Sequence, residues 1–295
     1  MSWQLKALNA FLRLAARPLL GHVHKPAPMR RALERLARLL LPVPPLVCHL
    51  VGQDGLHRIS RGTRRTRRII LYFHGGGYVA GSPETPLGMI GRLSGLAGVE
   101  VAAPNYPLAP EFHFPAAFED ACQAWARLSE LGYRPTDIVL GGDSAGGGLA
   151  LALLGHLCRV GTPPAAAFAL SPWCDLSLSG NSLHRNAGSD VLFPARRIGE
   201  LVDLILGDET DRCDPRLSPL FADFPNYPQV LLHFSETEIL QDDSCRMAQV
   251  LRQAGAQVVT HTHPNAPHVW HLFDGWIPEA REALRDVARF IKVHL

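Results

Sequence analysis

Apolar residues at helical spacing open the chain. Leu5, Leu8, Phe11, Leu12 and Ala15 fall on one face of a first helix. Pro18, Pro26 and Pro28 interrupt the pattern. A second stripe then runs through Met29, Leu33, Leu36, Leu39 and Leu40, with Arg30, Arg31, Arg35 and Arg38 on the opposite face. Pro42-Val43-Pro44-Pro45 ends the helical region, since proline cannot continue a helical hydrogen-bond ladder. Beyond it the period changes, and 46–51 and 56–60 read as a β-hairpin turning at Asp54-Gly55.

From residue 69 onward, short apolar runs alternate with longer amphipathic ones. Strands are predicted at 69–73, 99–103, 138–140, 165–170, 230–234 and 258–261, and helices at 116–131, 146–158, 194–206, 243–254 and 278–295. Nearly continuous apolar strands separated by helices imply a mostly parallel sheet covered on both faces. The last helix repeats Ala280, Ala283, Leu284, Val287 and Ile291, a stripe facing the core. An insertion at about 179–212 breaks the alternation and carries a helix of its own. It is expected to form a lid, as residues 1–45 are expected to form a helical cap on a catalytic domain spanning 46–295.

Two of the apolar runs end in unusual glycine patterns. Ile138-Val139-Leu140 leads into Gly141-Gly142-Asp143-Ser144-Ala145-Gly146 and then an Ala/Leu-rich helix pattern. G-x-S-x-G between strand and helix is the setting of a nucleophile elbow, a sharp turn that presents the serine hydroxyl. The run ending at Phe73 leads into His74-Gly75-Gly76-Gly77. A phosphate-binding loop would need G-x-G-x-x-G, or a lysine after the second glycine, and has neither here. HGGG after a strand instead offers backbone N–H groups to an oxyanion, together with the N–H of the residue after the nucleophile, Ala145. Acyl transfer is the chemistry that the two motifs imply together.

These stretches, with Asn105 to Asp120 (NYPLAPEFHFPAAFED) and Pro267 to Phe273 (PHVWHLF), resemble the hormone-sensitive-lipase family of α/β-hydrolases. The resemblance runs from about Leu46 to the C-terminus. It implies an α/β-hydrolase fold with a mostly parallel central sheet, helices on both faces and a helical cap. It assigns oxyanion-hole roles to Gly76 and Gly77 beside Ala145, with Gly75 as the alternative donor. One position departs from the family pattern: Pro107 stands where relatives carry an arginine, so any ion pair made by that arginine has to be absent or replaced.

A serine hydroxyl needs a base, and the base needs a carboxylate to fix its tautomer. His268 sits in a loop between the strand at 258–261 and the last helix, where an imidazole can reach the top of the sheet. His271 is the rival, expected to pack or to line the pocket. For the acid, the pattern in relatives lands on Glu238, directly before an apolar pair. Asp242 is the alternative, with helix capping as its ordinary role. The reaction expected is hydrolysis of short- to medium-chain carboxylic esters through an acyl-enzyme, with lactone hydrolysis or deacetylation by the same triad as the alternative. A ligand-binding protein on this fold is the reading from another class, and the presence of Ser144, Glu238 and His268 together argues against it.

Composition narrows the partners. With 29 Lys+Arg against 27 Asp+Glu the formal charge is +2, too small to imply nucleic acid. The cluster Arg58, Arg61, Arg64, Arg65, Arg67 and Arg68 lacks interleaved aromatics and reads as a solvated turn between edge strands. Six cysteines without C-x-x-C spacing suit a reducing compartment, so a cytoplasmic location is expected. No apolar run is long enough to span a membrane, and the N-terminal region is expected to offer no strongly apolar lipid-docking surface. His22 with His24, and His261 with His263, have i, i+2 spacing without a third ligand, so neither metal nor organic cofactor is expected. A small-molecule ester is the expected partner, and a homodimer is compatible with the sequence.

Overall fold

The computed structural model describes residues 1–22, 26–62, 67–208 and 211–295. In chain order its helices and strands are α1 (Trp3–Phe11), a π-helical turn (Leu12–Ala16), α2 (Arg17–His22), α3 (Pro26–Leu40), β1 (Val47–Val51), β2 (Leu56–Arg61), β3 (Ile69–Phe73), α4 (Leu87–Ala97) and β4 (Glu100–Pro104). Then follow α5 (Ala116–Glu130), β5 (Ile138–Asp143), α6 (Ala145–Arg159), β6 (Ala166–Leu170), α7 (Ser182–Arg185), α8 (Ile198–Leu206), β7 (Gln229–Ser235), α9 (Gln241–Gln253), β8 (Val258–His263) and α10 (Pro278–His294). The strands form one sheet in the order β1-β2-β4-β3-β5-β6-β7-β8. Pairing is antiparallel for β1 with β2 and β2 with β4, and parallel from β4 to β8. This is the mostly parallel sheet that the alternation predicts and the α/β-hydrolase fold that the resemblance implies.

The residue chemistry of the strands follows their place in the sheet. β3, β4, β5 and β6 are buried at every position, as strands covered on both faces must be. β8, at the edge, is half-exposed throughout. One face of the sheet carries the larger cluster, with Leu71, Phe73, Leu140, Leu149 and Leu153. The other packs Ile70, Tyr72, Val139 and Phe168 against Met89 and Leu93 of α4 and Leu284 and Ile291 of α10. Helix α4 was not among the predicted helices. Gly88, Gly91 and Gly95 dilute its helical signal, and tertiary burial of Met89, Ile90 and Leu93 overrides their low propensity.

The N-terminal segment docks through one face of α1. Leu5 and Leu12 are buried with Trp270, Phe273, Ile277 and Ala280, contributing about 1.5–3 kcal/mol per fully buried leucine. Phe11 and Ala15, expected on the same face, are instead exposed, as are Trp3 and Leu14. In the arginine cluster, Arg58 departs from the solvated reading by pairing with Asp54 at 2.6 Å and Glu100 at 3.6 Å. Arg61 and Arg67 donate to the carbonyls of Pro45 and Leu131. Arg64 and Arg65 lie outside the described residues, as does His24. No helix among the described residues is long and apolar enough to cross a membrane.

Candidate active site

The strand β5 stops at Asp143 and α6 starts at Ala145, which leaves Ser144 alone at the turn with φ 53° and ψ −123°. A non-glycine residue at positive φ is strained, and such strain clusters at functional sites. Backbone bonds hold it in place: Ser144 N–H donates to Leu170 O at 2.9 Å, and Ser144 O accepts from Gly148 N–H and Trp173 N–H at 3.0 Å each. Gly146 is required by close approach. A Cβ there would lie 2.2 Å from Phe73 O and 2.3 Å from His74 O, so α6 can start against the end of β3 only without a side chain.

The end of β3 carries the glycine loop, and Asp143 fixes it. Gly75 N–H and the Tyr72 hydroxyl both donate to Asp143 Oδ1, at 3.0 and 2.7 Å. Gly75 is therefore already committed, whereas none of the described residues accepts from the N–H of Gly76, Gly77 or Ala145. Gly76 and Gly77 adopt φ 124° and 63°, and Gly76 O accepts from Val79 and Ala80. His74 stacks on Tyr106 at 4.2 Å, its carbonyl accepting from the Tyr106 hydroxyl at 2.7 Å. Burial pushes the Asp143 carboxyl up to about 6, against the lowering effect of the Tyr72 and Gly75 donors. The same burial pulls the His74 imidazole down to about 4, so it stays neutral in the wall.

His268 lies in the loop after β8 and Glu238 in the loop after β7, both buried. Their side chains meet, His268 Nδ1 to Glu238 Oε2 at 2.8 Å, and Glu238 Oε1 accepts from Ser235 N–H at 3.1 Å. Burial alone would lower the His268 pKa. The hydrogen bond and charge of Glu238, with Asp190 and Asp143 further off, outweigh it and hold the pKa above the usual histidine value. His268 Nε2 has no partner among the described residues, and the ring lines the same cavity as Ser144. His271 is elsewhere. It is fully buried, bonded through Nε2 to His233 Nδ1 at 3.0 Å, and burial beside His233 and His268 drives its pKa well down. Packing is its role, as expected.

Asp242 calls for a correction. The N-cap of α9 is Leu240, which makes no side-chain cap bond, so Asp242 does not cap the helix. Its carboxylate accepts from Ser182 N–H at 2.9 Å and pairs with Arg185 at 2.8 Å. It thereby joins α9 to the insertion, away from His268. The insertion holds the acid loop at several further points. Asn186 Nδ2 donates to the carbonyls of Glu236 and Glu238, the Ser182 hydroxyl donates to Ile239 O, and Ile239 N–H donates to Asp190 Oδ2 at 3.0 Å. Asp190 Oδ1 also accepts from Leu192 and Phe193 N–H, and Phe193 stands edge-on to His268 with centroids 4.8 Å apart. Sequence reasoning missed Asn186 and Asp190, since a polar residue in a largely polar insertion carries no local mark of its distant partner.

Ser144 lies between two cavities. The larger has a volume of about 150 Å³ and is walled by Leu20, Met29 and Leu33 from the N-terminal segment and by Leu192, Phe193 and Leu201 from the insertion. The smaller, about 30 Å³, is lined by Trp173, Ile198, Ile239 and Leu240 and shares Phe193 and Leu201 with the first. Arg30 of α3 pairs with Glu111 at 2.6 Å and donates to Val79 O and Ala109 O at 2.7 Å each. Helix α3 supplies a guanidinium to the carboxylate that follows Pro107, and the contact ties the N-terminal segment to the stretch after the glycine loop.

A strand–serine–helix elbow at the centre of this sheet, facing a histidine after the last strand, defines an α/β-hydrolase. A family profile described as alpha/beta hydrolase fold matches residues 70–272. An acetyl-hydrolase of Streptomyces hygroscopicus is 36% identical over 268 residues, covering 90% of this chain and 89% of that protein. The solved structure of an esterase from the bacterial hormone-sensitive lipase family superposes with a TM-score of 0.92 at 33% identity, covering 100% and 99% of the two chains. A mutant of the esterase E40 superposes at 0.93 and 34%, with the same coverage. The chain belongs to the hormone-sensitive-lipase family of α/β-hydrolases, and it is an ester hydrolase.

Proposed function

We propose that the protein is a serine carboxylesterase in which Ser144 is the nucleophile, His268 the base and Glu238 the acid that orients it. The observation that carries this is the arrangement of His268: Nδ1 is held by Glu238 at 2.8 Å while Nε2 stands without a partner in the cavity of Ser144. His268 takes the hydroxyl proton as Ser144 attacks the ester carbonyl. The N–H groups of Gly76, Gly77 and Ala145 receive the developing oxyanion. The imidazolium returns its proton to the departing alcohol, and water repeats the sequence to release the acid. Glu238 stabilises the imidazolium throughout, which fits the raised pKa of His268.

Residues 1–45 and 179–212 form the cap of a catalytic domain spanning 46–295, since both contribute apolar walls above Ser144. Two unequal cavities meeting at the serine support division of the ester between them, one for the acyl group and one for the alcohol. Cavities of about 150 and 30 Å³ favour short- to medium-chain esters. The acetyl-hydrolase relative supports a second reading, in which acetyl groups are the ones removed. Six cysteines, none in a disulfide, support a cytoplasmic location.

A panel of p-nitrophenyl esters of increasing chain length, run on the wild type and Ser144→Ala, tests the proposal. Turnover should peak at short or medium chains and fall by several orders of magnitude in the variant. Near-normal turnover by folded Ser144→Ala would refute the nucleophile, and activity confined to emulsified long-chain triglyceride would refute the substrate class.

A further inference from the structure

Helix α1 turns a second apolar stripe away from the protein. Trp3 and Phe11 are 73% and 45% exposed, Leu14 in the following π-turn is 78% exposed, and Ala7 and Ala10 between them are exposed as well. Steps of three and four residues put all five on one side of the helical run, opposite the buried Leu5 and Leu12. The fold's core does not use this stripe. Charge marks the same segment: residues 1–33 contain Lys6, Arg13, Arg17, Lys25, Arg30 and Arg31 and no Asp or Glu.

Beside the stripe, Arg13 and Arg17 meet Arg196 of the insertion in an open surface cleft. Pro18, Ala187, Pro194 and Ala195 complete its walls, and no carboxylate lines it. The three guanidiniums donate to the backbone carbonyls of Ser189, Ala187 and Gly21 respectively. Those acceptors are neutral, so the cleft keeps its positive charge.

We propose that the outward face of α1 and the π-turn docks on an anionic lipid surface. The apolar stripe enters the boundary between headgroups and acyl chains, and lipid phosphates meet Arg13, Arg17 and Arg196. Such a surface supplies an apolar layer and negative charge side by side, as the segment requires. A second copy of the chain fits less well, since a self-complementary contact would set this basic cluster against its own like. Leu20, further along the same helical run, lines the cavity at Ser144, so docking holds the wall of that cavity at the lipid interface. The proposal stands independently of the catalytic assignments.

Co-sedimentation of the full chain with phosphatidylcholine vesicles, with and without phosphatidylglycerol, tests it. Binding should require phosphatidylglycerol and weaken as salt is added. Arg13→Gln and Arg196→Gln should each lower the partition coefficient about fivefold. Phe11→Ser with Leu14→Ser should lower it by about a hundredfold, while hydrolysis of a soluble short ester reports that each variant is folded. Equal binding to neutral vesicles, or binding indifferent to these substitutions, would overturn the proposal. So would stabilisation by inorganic phosphate without vesicle binding, which assigns the cleft to a free anion. Sedimentation velocity showing self-association that Leu14→Ser abolishes, again without vesicle binding, would assign the stripe to a second copy.

Discussion

The centre of the sheet and its edge each contribute half of the proposed machinery, and they are built by different means. At the centre, β3 and β5 lie side by side with every residue buried, and the glycine loop and Ser144 extend from their ends. Neighbouring backbone leaves no room there, so geometry follows from a few residues close in sequence. At the edge, β8 is half-exposed with no strand beyond it, and the loops bearing Glu238 and His268 follow β7 and β8. The insertion braces the acid loop through Ser182, Asn186 and Asp190. The centre is stiff by packing; the edge is stiff by hydrogen bonds reaching about fifty residues along the chain.

Breaking the edge at its chemical contact should have the largest effect. Glu238→Gln leaves the imidazole without its charged partner, so kcat should fall on the order of 10²–10⁴-fold, as with acid removal in other triads. The pH profile sharpens the test. Neutral His268 is the active form, so activity rises with pH through its pKa, which Glu238 holds above the usual histidine value. In Glu238→Gln the residual activity should therefore rise at lower pH than in the wild type. An unchanged acid limb would mean that another group orients the base.

Glycine substitutions compare the two regions directly. Gly146→Ala at the centre drives a methyl into two backbone carbonyls and should cost about 1–3 kcal/mol or more in urea unfolding, with activity reduced alongside. Gly188→Ala in the insertion meets nothing within 4 Å and should leave both unchanged. Similar losses for the two would contradict the packing account of the centre.

Asp190→Ala tests the brace. It leaves the N–H groups of Leu192, Phe193 and Ile239 without their acceptor, at a cost of about 1–3 kcal/mol for a buried unsatisfied donor. Because Ile239 follows Glu238, kcat should fall about tenfold, the loss produced by roughly 1.4 kcal/mol of misplacement. Wild-type kcat in a destabilised Asp190→Ala would separate the brace from catalysis. Asp242→Asn should do least, since its partly exposed pair with Arg185 contributes within about 1 kcal/mol. Circular dichroism and initial rates within error of the wild type are expected.

The same contrast explains what was legible in the sequence. Strand positions, Ser144, the glycine loop and the helical stripe of α10 could be read because each is fixed by its own residues and near neighbours. Helix α4 was hidden by its glycines, and burial alone recovers it. Glu238 could be reached only through resemblance, because several carboxylates share that loop and spacing does not rank them. Asn186 and Arg30 reach partners 49 or more residues away, and Asp190 joins its own turn at Leu192 and Phe193 to Ile239, a link that no local pattern announces. Asp242 was misread as a cap for the same reason: its partners, Ser182 and Arg185, belong to another part of the chain.

The most direct test of the central claim is covalent labelling by an organophosphonate, located by mass spectrometry of the digested chain. One label per chain should appear on the peptide bearing Ser144. His268→Ala should slow its formation by several orders of magnitude, because the hydroxyl then lacks its base. Labelling that reaches another serine, or that proceeds at the wild-type rate in folded His268→Ala, would contradict the assignment of this elbow as the catalytic centre.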